Sequence, residues 1–388
     1  ITLTDSVFSG DYYEYDGGAV CCRASSLKAV GCRFVGNRAD HYGLTDGRGG
    51  GGGIFVKDLD GTQQVIIDDC IFSGNYAKTA GGGICAVACS NLSVANSLFA
   101  GNGCEDLFGA GAITTRDQAD IVVRNCTFAD NWGSYGGVYG WPVVASLSNC
   151  ILWNPGVEEA SAASIIYSNV REGTAGEGNI DCDPCFSVNM SGTWASDASY
   201  DGNAYTVTCT DENASWQENE LAGLFIYPGG DPRLVLPIIA NTAMTVTSYA
   251  DAKTNMEGAS GIKAGWSYTI RDYHVTPESP CVDKGNPNYV SGPNETDVEK
   301  MPRVVNGDCA DSTRIDMGAY EFSYAWAGDF NGNCRVDILD FGLIASAWVA
   351  EAGASTFDHL FDISVPADER IDAGDLTILA EHWLDEMK

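Results

Sequence analysis

The sequence has few basic residues and no long hydrophobic run. Of its 388 residues, 21 are Lys or Arg and 53 are Asp or Glu, which gives a formal net charge of −32 at pH 7. Nucleic acids and anionic membrane surfaces bind clusters of basic side chains, so we expect neither as a partner. No apolar stretch in the chain reaches the roughly 18 residues of a membrane helix, and we predict no membrane span.

Histidine is also scarce. The chain has four, at His41, His274, His359 and His382. None lies in a His-Glu-x-x-His pattern or in the setting of a catalytic triad, so the sequence indicates neither a zinc protease nor a triad hydrolase.

Glycine, by contrast, is abundant, and a short motif recurs through the first half of the chain. A Cys or Ser is followed two positions later by an aromatic residue and then by a Gly-Asn turn, as in 70–75 and 97–102. The aromatic or leucine position of successive copies is occupied by Phe8, Phe34, Phe72, Phe99, Phe128 and Leu152. These positions are 26, 38, 27, 29 and 24 residues apart. A period in the twenties is typical of one coil of a solenoid.

These short strands and corners predict a mainly β fold, a right-handed parallel β-helix. A leucine-rich repeat would need a ladder of leucines that is missing. Coils of a β-helix stack ~4.8 Å apart, so equivalent residues lie above one another. We therefore expect a stack of Phe rings, and a hydrogen-bonded side-chain ladder at the polar position before the motif, Asp5, Asp69, Asn96, Asn125 and Asn149.

Four of the 15 cysteines share one slot of the repeat. Cys32, Cys70, Cys126 and Cys150 stand where other coils have Ser6 and Ser97. Neighbouring coils hold Cβ atoms ~4.8 Å apart, whereas a disulfide needs ~3.8 Å. We therefore expect a column of buried free thiols rather than disulfides between coils.

The repeat resembles the right-handed β-helix proteins of bacterial cell surfaces, including the polymorphic outer-membrane protein type. Its Gly-Gly-x-Ile motif is matched at 81–84 and its Phe-x-x-Asn motif at 72–75, and the resemblance covers about residues 1–186. Three further blocks, at 178–186, 272–285 and 314–322, resemble the closing segment of such proteins.

We therefore divide the chain into four regions: a parallel β-helix over 1–186, an inserted β subdomain over 187–271, a β-helix closing segment over 272–322 and a C-terminal module over 323–388. Within the subdomain, Trp194, Trp216 and Trp266 are expected to fill the core, and stacking on sugar rings is the alternative. Asp316 and Glu321 are expected to be structural residues of a closing turn.

Two acidic stretches near the C-terminus have the spacing of EF-hand-like calcium loops. The candidate ligands of the first are Asp329, Asn331, Asn333, Arg335 (through its carbonyl), Asp337 and Asp340. Those of the second, which is two residues longer, are Asp362, Ser364, Asp368, Arg370, Asp372 and Asp375. Ca²⁺ prefers six to eight oxygen ligands, so we predict Ca²⁺ in both loops and a small α-helical domain, with helices over 341–349 and 376–384.

A tandem pair of loops, each followed by one helix, resembles a type I dockerin. The resemblance implies contacts to a cohesin through loop positions 10 and 11, which are Ile338-Leu339 and Ala373-Gly374 in this chain. Neither copy has the hydroxyl pair common in cellulosome dockerins. We therefore expect calcium-dependent folding, or docking to a cohesin-like or other cell-surface protein.

The alternatives to a structural role are a polysaccharide lyase, a glycoside hydrolase, or a carbohydrate-binding module attached through a dockerin-cohesin contact. A lyase needs a basic residue beside acidic residues, and the candidates on the solenoid are Lys57, Lys78, Arg116, Arg124, Asp58, Asp60, Asp68 and Asp117. A glycosidase needs two carboxylates ~5–9.5 Å apart. Because a strongly negative protein attracts anionic polysaccharides poorly, we favour a role without catalysis.

The calcium-type loops favour a secreted protein of the cell surface or extracellular matrix. The chain begins at Ile1 without a leader and directly in a repeat, so we expect a mature or truncated product. An open end of a β-helix is an unpaired strand edge, which predicts end-to-end self-association into a filament. The sequence thus predicts a structural, adhesive or fibre-assembly role, with a polysaccharide as a further partner.

Overall fold

The computed structural model describes residues 1–40, 50–57, 62–89, 91–117, 121–141, 145–161, 163–229, 234–249, 261–292, 295–307, 313–323, 328–330, 334–351, 361, 363 and 370–383. In chain order its strands are β1 (Thr2–Thr4), β2 (Val7–Ser9), β3 (Tyr12–Tyr13), β4 (Val20–Arg23), β5 (Leu27–Val30), β6 (Arg33–Val35), β7 (Arg38–Ala39), β8 (Ile54–Lys57), β9 (Val65–Asp68), β10 (Ile71–Ser73), β11 (Tyr76–Ala77), β12 (Ile84–Val87), β13 (Leu92–Ala95), β14 (Leu98–Ala100), β15 (Gly103–Cys104), β16 (Ile113–Arg116), β17 (Ile121–Arg124), β18 (Thr127–Ala129), β19 (Tyr135–Trp141), β20 (Ala145–Ser148), β21 (Ile151–Trp153), β22 (Glu158–Ser161), β23 (Ala163–Ile166), β24 (Asn169–Val170), β25 (Phe186–Thr193), β26 (Ser199–Asp201), β27 (Thr206–Thr210), β28 (Phe225–Tyr227), β29 (Leu236–Asn241), β30 (Thr245–Tyr249) and β31 (Ser267–Val275). The helices are α1 (Ile338–Ser346) and α2 (Ala373–Glu381).

Parallel sheets stack along the first 170 residues and form a solenoid. The first sheet has the order β1-β5-β9-β13-β17-β20-β23, and the second has the order β2-β6-β10-β14-β18-β21-β24. The third has the order β4-β8-β12-β16-β19-β22, and a small fourth sheet has the order β3-β7-β11-β15. Each coil begins with a strand of the first sheet and continues into the second, and all but the last coil then add a strand of the third sheet. The parallel β-helix predicted from the repeats is therefore confirmed.

The aromatic position of the repeat forms the predicted stack. Neighbouring rings from Phe8 to Phe128 lie nearly parallel, with centroids 4.7–5.0 Å apart, and Leu152 pairs with Phe128 in the last step. The rings of coils 2 to 5 are fully buried. Their offset contact adds to the hydrophobic free energy of the core.

The predicted polar ladder, here called the corner ladder, forms in its later coils. Asn149 donates to Asn125 at 3.0 Å and Asn125 donates to Asn96 at 2.9 Å. The ladder was wrongly extended to Asp69, because Asn96 donates instead to Asp68, at 3.0 Å. The predicted ladder positions Asp5, Asp69, Asn96, Asn125 and Asn149 all have positive φ, and coil 2 has Gly31 at the equivalent position.

A second ladder, here called the inner ladder, was not predicted. It is built from the asparagine three residues after the aromatic position or, in the last copy, two after Leu152. These residues are Asn37, Asn75, Asn102, Asn131 and Asn154, and their side chains join at 2.8–3.0 Å. Glu159 ends it by accepting from the side-chain amide of Asn154. Burial raises the pKa of Glu159 to about 7.

The small slot of the repeat holds buried thiols, as predicted. Cys32, Cys70, Cys126 and Cys150 are fully buried and free. Each Sγ lies 3.1–3.5 Å from the carbonyl oxygen two residues earlier, and Ser6 and Ser97 donate to the equivalent carbonyl oxygens. The slot therefore accepts a small side chain that can donate one hydrogen bond.

An antiparallel sheet, whose strands are not in chain order, follows the solenoid. It has the order β25-β31-β28-β29-β30-β27-β26, so it runs from Phe186 to Val275. Trp194 is 1% exposed, and Trp216 and Trp266 pack against the same core. The expectation of a core position is confirmed for Trp194, whereas Trp216 and Trp266 are partly buried at the edge of that core.

The described part of the C-terminal module contains the two short helices. Neither is long and apolar enough to cross a membrane. Their buried face is formed by Ile344 and Leu379, which pack with Val336 and Ile371 of the preceding segments.

Candidate functional site

The helices α1 and α2 begin with the same reciprocal capping arrangement. Asp337 accepts from the backbone N–H of Leu339 at 2.8 Å, and Asp340 accepts from the backbone N–H of Asp337 at 2.9 Å. Asp372 and Asp375 repeat both contacts at 2.8 Å. These caps satisfy N–H groups that a helix start leaves unpaired, so each helix begins three residues before its predicted start at 341 or 376, which was wrong.

Buried carboxylates mark the start of the first loop and the end of both loops. Asp340 and Asp375 are fully buried, and Asp329 is nearly so. Asp329 accepts from the backbone N–H of Cys334 at 2.7 Å. Burying a carboxylate costs free energy unless hydrogen bonds or a cation compensate it. Inward-facing carboxylate oxygens are the donor set that Ca²⁺ prefers.

The two loop-and-helix units pair with each other. Val349 donates its backbone N–H to Ile371 at 2.8 Å, and Ile371 donates to Ala350 at 2.9 Å. Glu351 and Arg370 form an adjacent antiparallel bridge, and their side chains make an ion pair at 3.0 Å. The pairing joins the segment that follows α1 to the residues just before α2.

Part of the predicted ligand set lies in the described residues. These ligands are Asp329, Arg335, Asp337, Asp340, Arg370, Asp372 and Asp375, whereas Asn331, Asn333, Asp362, Ser364 and Asp368 lie outside the described residues. Within the described residues, no group of three His, Cys, Asp or Glu side chains is placed to hold a metal ion.

The predicted lyase residues that the structure describes lie on different sheets and do not form one cluster. Lys57 and Arg116 end equivalent strands of the third sheet, whereas Arg124 and Asp68 end strands of the first sheet. Arg116 donates to the carbonyl oxygens of residues 79 and 108, at 2.7 and 3.1 Å. It therefore stabilises the turns that follow β11 and β15. Lys78 follows β11 and Asp117 follows β16, and Asp58 and Asp60 fall outside the described residues.

The closing segment crosses the coils instead of simply ending the solenoid. Its residues 286–292 and 295–300, here called the strap, run along the corner ladder. Asn286 donates its N–H to Asn149 at 2.8 Å, and Tyr289 accepts from Asn125 at 3.0 Å. Lys300 donates to Asp69 at 2.8 Å. The strap thus contacts coil 6 first and coil 3 last.

His274, at the end of β31, joins the inserted sheet to the strap. Its Nδ1 lies against Asp272 of the same strand, its Nε2 lies 3.0 Å from Glu299 of the strap, and its ring centroid lies 3.9 Å from that of Tyr320. Burial disfavours the charged ring, but the hydrogen bonds to Asp272 and Glu299 outweigh it and raise the pKa of His274 to about 10. A ring held protonated in this way cannot act as a general base near neutral pH.

A buried charged cluster closes the same region. Arg303 is 1% exposed, donates to the carbonyl oxygen of Gly318 and lies 3.7 Å from Glu321. Asp316 accepts from the backbone N–H groups of Asp283 and Phe322, both at 2.6 Å. Burial raises the pKa of both Asp316 and Glu321. These contacts fit the structural role expected for the two carboxylates.

Asp130 anchors the inserted sheet to coil 5. It has positive φ at a position where other coils have glycine. Its Oδ2 accepts from Tyr227 and Tyr273, both at 2.8 Å, and pairs with Arg271. Sequence reasoning missed this contact, although the Asp in place of Gly in one Gly-Asn turn was a visible signal.

Comparison with known proteins supports the architecture. Residues 18–231 match the family model described as the right handed beta helix region. No curated protein and no solved structure gives a significant match. The match covers more than half of the chain and includes the stacked parallel strands from β4 onward and the first part of the inserted sheet. The chain therefore belongs to the right-handed β-helix family.

Proposed function

We propose that this protein is a secreted, calcium-binding β-helix scaffold of the cell surface or extracellular matrix. The observation that carries the proposal is the repeated C-terminal unit, in which an acidic loop ends in a buried carboxylate and a capped helix. A long solenoid provides a rod, and a small calcium-dependent module provides a means of attaching it. This division of roles does not require a catalytic centre.

The chemistry of the predicted ligands supports Ca²⁺ rather than a transition metal. The candidate donors are carboxylate, amide and carbonyl oxygens, which hard cations prefer. Asp329, Asp337 and Asp340 would hold the ion in the first loop, and Asp372 and Asp375 would do so in the second. A bound ion would neutralise buried carboxylates, and its binding free energy would stabilise the folded module.

Calorimetric titration of the chelator-treated full chain tests this proposal. We expect binding of Ca²⁺ at one site per loop and a higher melting temperature in calcium. Asp340→Asn and Asp375→Asn keep an oxygen that accepts the capping hydrogen bond but remove the charge, so each should abolish binding at its own loop. Glu381→Gln, on the exposed part of α2, is the control and should bind normally. Unchanged binding in the double variant would contradict the proposal.

The exposed face of α1 supports docking to a partner protein. Ile338 and Leu339 are 65% and 62% exposed, whereas the equivalent residues of α2 are Ala373 and Gly374. An apolar pair on one of two related helices favours a one-sided contact. We propose a cohesin-like or other cell-surface protein as the partner. Size-exclusion chromatography with purified cohesin modules, in calcium and in chelator, tests this part, and Leu339→Asp should prevent the complex without affecting calcium binding.

Association of whole rods and binding of a polysaccharide are further parts of the proposal. Electron microscopy of the protein in calcium and in chelator addresses the first. Calcium-dependent filaments would support assembly, and dispersed rods in both conditions would exclude it.

A further inference from the structure

Two accessible thiols lie together in the segment that joins the last coil to the inserted sheet. Among the described residues, thirteen cysteines are free, and only Cys21, Cys182 and Cys185 are not buried. Cys182 and Cys185 form a Cys-x-x-Cys motif between β24 and β25. An accessible thiol can react with dissolved compounds, whereas a thiol buried in an apolar core is inert. Two of the three accessible thiols are therefore neighbours at this joint.

The backbone of the motif is fixed at both ends. The side chain of Asn169, in β24, accepts from the N–H of Cys182 at 3.2 Å and donates to the carbonyl oxygen of Cys182 at 2.8 Å. The carbonyl oxygen of Cys185 accepts from the N–H of Thr276 at 2.9 Å. The last coil thus holds the first cysteine and the closing segment holds the second, so the pair is presented in a defined arrangement.

The side chain of Cys185 folds back over the motif. Cys185 has positive φ, and its Sγ lies 3.5 Å from the carbonyl oxygen of Asp183, the residue that follows Cys182. The N–H of Cys185 donates to the side chain of Asp183 at 2.9 Å. The bent segment therefore places Sγ of Cys185 over the residue next to Cys182, from which side-chain rotation can bring the two sulfur atoms into bonding distance.

The surroundings of the two thiols assign the order in which they react. Partial burial and the negative charges of Asp183 and Glu278 raise the pKa of Cys185, so its thiolate is scarce near neutral pH. Cys182 is exposed to solvent. A dissolved disulfide therefore meets Cys182 first, and Cys185 reacts afterwards with the sulfur of its neighbour.

A third thiol lies beside the motif but is shielded from solvent. Sγ of Cys281 accepts from the side-chain amide of Asn169 at 3.2 Å, and the same amide donates to the carbonyl oxygen of Cys182. Cys281 is fully buried, and burial raises its pKa to about 12. A dissolved oxidant cannot reach this sulfur, so Cys281 stays a thiol while the motif reacts.

We propose that Cys182 and Cys185 are a redox-active pair that forms a disulfide with each other, with a low-molecular-weight disulfide such as glutathione disulfide as the oxidant. The thiolate of Cys182 attacks one sulfur of the oxidant, breaks its S–S bond and releases one half of it. The thiolate of Cys185 then attacks Sγ of Cys182, forms the bond between the two cysteines and displaces the other half.

The electrons and protons of this exchange balance. Two protein thiols are oxidised to one disulfide, and one molecule of the oxidant is reduced to two thiols, which take up the two protons of the protein thiols. The pair lies at the joint between solenoid and inserted sheet and is separate from the calcium loops. The proposal therefore goes beyond the proposed function and can fail without it.

Peptide mass spectrometry of the full chain tests the proposal. The protein is incubated with glutathione disulfide below the effective concentration of Cys185, which is on the order of millimolar for groups joined by a short linker, and free thiols are then blocked with N-ethylmaleimide. We expect a disulfide between Cys182 and Cys185 in the wild-type chain. Cys185→Ser should leave glutathione attached to Cys182, at least ~10-fold more than in the wild-type chain, because nothing displaces it.

Cys21→Ser is the matched control, since it removes the accessible thiol outside the motif and should leave oxidation of the pair unchanged. Three results would overturn the assignment: full alkylation of both cysteines in the wild-type chain, equal glutathione on Cys182 in the wild-type chain and in a folded Cys185→Ser variant, or a disulfide that joins either cysteine to Cys281. Thermal unfolding checks that each variant is folded, and the wild-type result does not depend on any variant.

Discussion

Individual amide groups carry much of the specificity of the solenoid. In the inner ladder, Asn102 accepts from the backbone N–H and the side chain of Asn75, at 3.0 and 2.8 Å, and donates to Asn131 and to the carbonyl of Phe72, both at 2.9 Å. All these groups lie inside the coil stack. The Phe stack and the thiol slot could be predicted because the same residue type recurs at one position of successive coils, and stacking places these residues above one another. The inner ladder could not, because a Gly-Asn pair is equally typical of an exposed turn.

Replacing Asn102 by Ala should destabilise the protein by about 3 kcal/mol or more, because each buried polar group left without a partner costs ~1–3 kcal/mol. Urea unfolding followed by circular dichroism measures the change in the free energy of unfolding. Asn203→Ala, in the exposed turn between β26 and β27, is the control and should change it by less than ~0.5 kcal/mol. Equal effects of the two substitutions would show that the ladder is not stabilising.

At the scale of elements, the Gly-rich corners set how closely the coils can approach. A Cβ on Gly82 would lie 2.5 Å from the carbonyl oxygens of Gly103 and Gly111 and 2.6 Å from the backbone nitrogen of Gly103. These corners were predicted from the glycine runs. The early starts of α1 and α2 were not, because Asp340 and Asp375, which the sequence predicts as loop ligands, lie within the first helical turn and serve as capping residues.

Gly82→Ala should therefore shift the backbone between neighbouring coils and destabilise the solenoid by ~1–3 kcal/mol. Gly342→Ala is a matched control, since nothing lies within 4 Å of the place of its Cβ in α1. That change should stabilise the helix by up to ~1 kcal/mol. Thermal unfolding of both variants measures the change in stability. A lower stability of Gly342→Ala than of Gly82→Ala would contradict the requirement for glycine at the corner between coils.

At the scale of the whole molecule, contacts between distant parts of the sequence hold the inserted sheet and the strap on the solenoid. Lys300 and Asp69 are 231 residues apart, and Tyr273 and Asp130 are 143 apart. The repeats made the solenoid predictable because like residues pair with like. The strap and the anchor at Asp130 were not predictable, because single residues without a repeat form them.

His274 makes one of these long-range contacts dependent on pH. Its pKa is raised from 6.5 to about 10, so its stabilising contribution is fully present below about pH 6.5 and is lost as the pH rises to 10. We expect the difference in unfolding free energy between the wild-type protein and His274→Gln to shrink over this interval. Urea unfolding at several pH values measures it. A difference that stays constant or grows toward pH 10 would rule out stabilisation by protonated His274.

The strap has a consequence for how this rod can change over evolutionary time. Solenoids commonly lengthen by duplication of a coil. Here the contacts of Asn286, Tyr289 and Lys300 fall on coils 6, 5 and 3 in order, so an added coil would put these contacts out of step unless the strap lengthened with it. The length of the strap therefore constrains the number of coils. Related chains with more or fewer coils should have correspondingly longer or shorter straps.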